Sequence, residues 1–301
     1  MRAIIIAGSP PDGLQHVNDV NLDRTTLDRL TDGVLDAVAR EDVVPSEALL
    51  FLLRRYSSGE RPEVADTLGI AFARELDRQA RRVSEDDPEG WLTLFSEGAA
   101  RSDDSRLARA AATLVPLVRR RWSGPEVDVL MRSVEACLMA GNVPEATELT
   151  AEAIDAIEHA VARAYRPGAG VSHHATGTPF VRGGLRDQVS SASALLAAYA
   201  ISRRLPYAML ADELMQFTLR TSMHEVEQGA AFAARCQAAQ VCCRLAALHR
   251  DAEYRRVAVL AAGADYRREA ARILSRLAQS MPEPGAAAPF GLALAEWLDL
   301  Q

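Results

Sequence analysis

The chain has 301 residues, of which 49% are hydrophobic and 5% aromatic, and carries a formal net charge of -7. That length can bury one large core or two small ones, and the acidic balance excludes nucleic acid as a natural partner, since no basic tract stands out beyond Arg119–Arg121. All 34 basic residues are arginine, which excludes Schiff-base or general-base chemistry by lysine.

Residues 1–22 read as a short extension, in which MRAIIIAG forms a strand ending in a tight turn at Gly8, Ser9 and Pro10. No further βα units follow, so an edge strand or the remnant of a preceding domain is expected. The segment lacks the h-region of a signal peptide, and no apolar run reaches the length of a membrane span. A cytoplasmic protein without a membrane partner is the expectation.

From residue 23 to 301 a single helical domain is predicted, because Ala and Leu dominate where a sheet would be richer in Val, Ile and aromatics. Twelve helices are read over 23–40, 46–57, 62–82, 88–100, 104–121, 125–140, 144–165, 184–203, 206–220, 229–249, 252–279 (broken near Gly263) and 287–299. A turn signature recurs between them: SSGERPEVA, RSDDSRLA, AGNVPEAT, SRRLPYAML and HRDAEYRRV. Its spacing matches two helices with their loops, so the chain is an array of helical hairpins. Ala146, Leu149, Ala153, Ile157, Ala160 and Ala164 form one apolar stripe, with Pro144 suited to a first turn. Arg119–Arg121 is read as a solvated helix terminus. Cys236 and Cys243 lie on the buried stripe of their helix, about two turns apart, and are expected as reduced core thiols. Residues 166–183, RPGAGVSHHATGTPFVRG, break the pattern of short turns, and VSHHATG suits a short β-excursion. TSMHEVEQG, at 221–229, is a second irregular stretch.

Four segments, in this order, carry a resemblance: PSEALLFLLRRYSSGERPEVADTLGIAF (45–72), GVSHHATGTPFVRGGLRDQVSSASALLAAY (170–199), AARCQAAQVCCRLAALHRDAEYRRVA (233–258) and PEPGAAAPFGLALAEWLDL (282–300). Together they resemble the α/α-toroid part of the thioredoxin-domain-containing family related to spermatogenesis-associated proteins, which groups with N-acylglucosamine 2-epimerases among six-hairpin proteins. The resemblance implies an all-α (α/α) toroid of up to six hairpins and a site at its mouth. This chain departs from that family in lacking a thioredoxin domain, and in carrying Glu227, Gln228 and Gly229 where the family has Asp-Asn-Ala.

The resemblance places polar residues at Asp187 and Gln188, at the lead-in to an inner helix. Asp187 is a candidate general base or sugar ligand, or else an ordinary first-turn acid paired with Arg182 or Arg186. His173 and His174 are candidate proton carriers, but neighbours on a strand face opposite ways, so at most one faces a cleft. No set of metal ligands is evident, and neither metal nor cofactor is expected. His224, Glu225 and Glu227 form a second polar cluster, and Trp91 is read either as a sugar-stacking surface or as core.

The implied function is a divergent, catalytically degenerate toroid protein that binds a small carbohydrate-like ligand, or a protein partner, at its mouth. The alternatives are an active sugar epimerase or glycosidase, and a tetratricopeptide-like peptide scaffold suggested by MAGNVPEATELTAEAIDA. A toroid requires helix 287–299 to pack near 23–57. It also requires loop 166–183, Asp187 and segment 221–228 to gather at one mouth.

Overall fold

The computed structural model describes residues 21–41, 43–81, 86–176, 180–221, 223, 231–257 and 263–300. The predicted strand at the start of the chain lies outside them. The helices form six consecutive pairs, each an outer helix followed by an inner one. The first three pairs are α1 (Arg24–Arg40) with α2 (Ser46–Ser57), α3 (Val64–Arg81) with α4 (Pro88–Arg101), and α5 (Ser105–Arg120) with α6 (Val127–Met139). In the fourth, α7 (Pro144–Glu148) and α8 (Thr150–Ala164) precede α9 (Leu185–Ser202). The fifth is α10 (Leu205–Thr221) with α11 (Ala231–Leu248). In the last, α12 (Ala252–Val257) and α13 (Tyr266–Leu277) precede α14 (Ala288–Leu298).

Sequence pattern separates the two layers. In α13 the buried residues are Tyr266, Ala270, Ile273, Leu274 and Leu277, a single stripe facing inward. In α9 every residue from Asp187 to Ala198 is buried, as expected for a helix enclosed on all sides. Asp23, Asp104 and Asp265 cap α1, α5 and α13 by accepting backbone N–H bonds. The predicted helix 144–165 breaks at Leu149, although Ala146, Ala153, Ile157, Ala160 and Ala164 of its stripe are all buried. The predicted helix 252–279 is represented by α12 and α13 as separate helices.

The inner helices contact one another in the order α2, α4, α6, α9, α11, α14, and α14 returns to α2 and α1. The ring is therefore closed, as the toroid requires, whereas an open scaffold of repeats would leave its ends apart. Closure depends on a close approach at Gly291 of α14. A Cβ there would stand 2.6 Å from Phe51 and 2.9 Å from Leu30. One large apolar cluster runs through the ring and takes in Cys137, Cys236, Cys242 and Cys243, with a small satellite at Ala208 and Tyr254. All four cysteines are free and buried. Burial pushes the Cys137 thiol up to about 11 and those of Cys236 and Cys243 up to about 12, so they stay protonated. No described helix is long and apolar enough to cross a membrane.

Between α8 and α9 the predicted β-excursion is a small hairpin, β1 (Tyr165–Arg166) antiparallel to β2 (Gly170–Val171). Beyond it, Ser172 bridges to Arg182, and His174 bridges to Glu126 ahead of α6.

Candidate functional site

One outer helix turns the chain back between consecutive inner helices, so all six inner helices run in the same direction and their N-termini share one mouth. Free amides and helix dipoles make such a mouth positive. The sequence offsets this with acids near the helix starts: Glu47 in α2, Asp87 and Glu89 at α4, Asp128 in α6 and Asp187 in α9.

Below the mouth lies a cavity of about 330 Å³ on the ring axis. Every inner helix contributes to its lining, including Glu47 and Arg54, Gly90, Arg132, Arg186, Gln237 and Leu292. Deeper in, two arginines tie the ring together. Arg54 of α2 pairs with Glu97 of α4 at 2.5 Å and with Glu296 of α14 at 3.6 Å. Arg244 of α11 donates to Glu135 of α6 at 3.1 Å and to Ser193 of α9 at 3.0 Å, and approaches Glu296 at 4.0 Å. Helices α6 and α14 stand opposite each other in the ring, so the Arg244 guanidinium crosses the axis. Between them, Arg54 and Arg244 reach all six inner helices.

At the mouth the loop after β2 brings His173 onto Asp187. The Nδ1 of His173 lies 3.1 Å from both carboxylate oxygens of Asp187. The loop is placed by backbone bonds from Val127 N–H to the His173 carbonyl (2.9 Å), from Ala175 N–H to Pro125 (2.8 Å) and from His173 N–H to Val181 (3.1 Å). Asp187 also accepts from Gly184 N–H at 2.9 Å. Asp128 is buried beside the pair, with Arg186 Nη1 3.8 Å from its Oδ2.

Partial burial pulls the His173 ring down, but the hydrogen bond and charge of Asp187, helped by Asp128 and Glu126, outweigh it and raise its pKa. Burial pushes the Asp187 carboxyl up and Asp128 adds to this, against the pull of His173 and Gly184. Both directions mean that the pair holds its shared proton tightly.

Ligand atoms of Asp128, His173 and Asp187 lie within 4.8 Å of one another, the only such set among the described residues. The sequence expectation that no such set exists is corrected here: its members are far apart in the chain and meet only where the loop after β2 folds onto the starts of α6 and α9.

The other residues singled out in the sequence fall in different places. His174 is exposed and lies beside the His173 ring, with the centroids 4.5 Å apart. Arg186 lines the cavity, and Arg182 is exposed on the bridge to Ser172. Gln188 is not a ligand group. It is fully buried, accepts from Val171 N–H at 2.9 Å and donates to the carbonyls of Val171 (2.8 Å) and Gly183 (3.1 Å), pinning the loop to α9. Trp91 is core, 6% exposed and stacked near Phe95, and is absent from the cavity lining. Arg121 is not simply a solvated terminus, because it reaches both oxygens of Glu89 at 3.1 Å. Glu225 and Glu227, with His224, lie outside the described residues.

Sequence reading missed Glu47, Asp87, Arg132, Glu135 and Arg244. One signal for Asp87 was present: DDPEGW sets an acid before Pro88 at a helix start. Asp87 adopts a left-handed backbone (φ 53°, ψ 48°), costly for a residue with a side chain and a frequent mark of functional sites. Its carboxylate accepts from Ser46 (2.5 Å), Arg132 (3.2 Å) and Gly90 N–H (3.3 Å).

No protein-family profile matches the sequence, and no curated protein matches it. Solved structures do. The GH76A alpha-1,6-mannanase from Salegentibacter sp. HEL1_6 superposes with a TM-score of 0.68 at 10% identity, covering 91% of this chain and 100% of that one. The Lin0763 protein from Listeria innocua superposes with a TM-score of 0.62 at 11% identity, covering 84% and 83%. At these identities the likeness establishes the fold alone, a closed toroid of helical hairpins. It does not extend to the thioredoxin-domain family.

Proposed function

We propose that the chain binds a small, uncharged carbohydrate-like ligand in the axial cavity, entering at the mouth formed by the inner-helix N-termini. The observation that carries this reading is the cavity lining, in which arginines and carboxylates occur together and most are paired with an opposite charge in the lining or just behind it. Such a lining offers many donors and acceptors with little net charge, which suits a polyol better than an ion. A protein of the same fold is an alpha-1,6-mannanase, which supports a sugar as ligand. Turnover is low in this reading, because the Asp-Asn-Ala expected at the mouth is replaced by Glu227, Gln228 and Gly229. The test is a calorimetric or NMR binding screen with mono- and disaccharides, run beside epimerase and glycosidase assays on wild type and Asp187→Ala. Saccharide binding with negligible turnover is expected. Robust epimerase activity lost in Asp187→Ala would overturn the low-turnover reading.

A second reading, an active sugar epimerase or glycosidase, is favoured by the His173–Asp187 pair. Asp187 holds Nδ1, so Nε2 of the half-exposed ring is free to take or give a proton at a ligand carbon or oxygen.

A further inference from the structure

Across the mouth from His173, a second cluster joins the starts of α2 and α4. Ser46 Oγ stands 2.5 Å from Asp87 Oδ2 and 3.4 Å from Glu47 Oε2. A serine hydroxyl has one hydrogen to give. The short contact assigns it to Asp87, and 3.4 Å is too long for a second firm bond, so Glu47 receives no hydrogen from this hydroxyl. The other carboxylates near the cavity have cationic partners: Glu89 has Arg121, Asp87 has Arg132, Glu135 has Arg244, and Glu97 and Glu296 have Arg54. Glu47 lines the cavity and has no cation within ion-pair distance among the described residues.

Asp87 is held in place by the fold. Its left-handed backbone turns it back over the start of α4, and Gly90 leaves the necessary space. A Cβ at Gly90 would stand 2.1 Å from both Asp87 Oδ2 and Ser46 Oγ.

We propose that Glu47 is the hydrogen-bond donor of this site, a neutral carboxylic acid whose O–H donates to an oxygen of a ligand in the axial cavity. The proposal rests on the cavity being the ligand site, as argued above. The groups facing Glu47 are consistent with it. Burial raises its pKa first and the Asp87 charge second, outweighing the downward pull of its own amide, of Arg132 across from α6 and of Ser46. Glu89 of α4 is already paired with Arg121, and the α14 residues on this cavity, Pro289 and Leu292, carry no charge. A carboxyl group raised by burial and by a neighbouring carboxylate suits the part of a neutral acid.

The experiment is an NMR pH titration of glutamate side-chain carboxyl carbons in wild type, Glu47→Gln and Asp87→Asn. One glutamate should titrate above the exposed ones, vanish in Glu47→Gln and move down in Asp87→Asn. Titration of Glu47 together with the exposed glutamates, or no movement in Asp87→Asn, would overturn the proposal. No ligand is needed for this readout, so it tests the neutral state of Glu47 separately from the saccharide screen, whose failure would remove the ligand that Glu47 serves. Where a saccharide binds, Glu47→Gln should keep affinity but lose its decline at rising pH, and Glu47→Ala should weaken binding at every pH. An unchanged pH profile in Glu47→Gln would count against the donor role.

Discussion

His173 shows how little distance separates an ordinary surface histidine from an equipped one. A free imidazole titrates near 6.5. Here Asp187 raises it, so the charged pair contributes stability fully below about pH 6.5, and that contribution is lost as the pH rises through the higher folded value. Asp187→Asn should return the ring toward ordinary titration, followed by the His173 Cε1–H resonance. The stability gap between wild type and His173→Gln in urea should close on the alkaline side. Gln188 makes the opposite point. Its three bonds all go to buried backbone groups, so Gln188→Ala leaves those groups unsatisfied and should cost about 1–3 kcal/mol in urea unfolding. Sequence alone did not separate the two neighbours. Asp187 and Gln188 are adjacent polar residues at one helix start, and only the loop folded over them decides which faces the mouth.

At the scale of elements, much was legible. Helical periodicity and turn chemistry placed the two-layer array, because each outer helix shows one stripe and each connection carries Pro, Gly or an acid cap. The break at Leu149 was not legible, since the apolar stripe of 144–165 continues through it. Nor was the Glu47–Asp87 cluster, which depends on two helix starts 41 residues apart meeting at Ser46. The seam between α14 and α1–α2 depends on one missing side chain. Gly291→Ala would push a methyl group into Phe51 and Leu30 and should cost about 1–3 kcal/mol, read as a lowered urea midpoint with unchanged helical content. The same substitution at Gly69, which has nothing within 4 Å, should be neutral or stabilising and serves as the control.

For the whole molecule, Arg244 acts as a crossbar. Arg244→Ala leaves Glu135 and Glu296 facing the axis without it. The side chain is 35% exposed, so solvent screening limits the loss to about 1–3 kcal/mol. The loss is read as a lowered urea midpoint at neutral pH with unchanged helical content. Closure of the ring has a further consequence during synthesis. The hairpin that holds Phe51 is made about 240 residues before its partner at Gly291. At typical elongation rates that interval lasts on the order of tens of seconds. Throughout it the nascent chain carries an apolar flank without its α14 cover, and only the arrival of Gly291 can seal it.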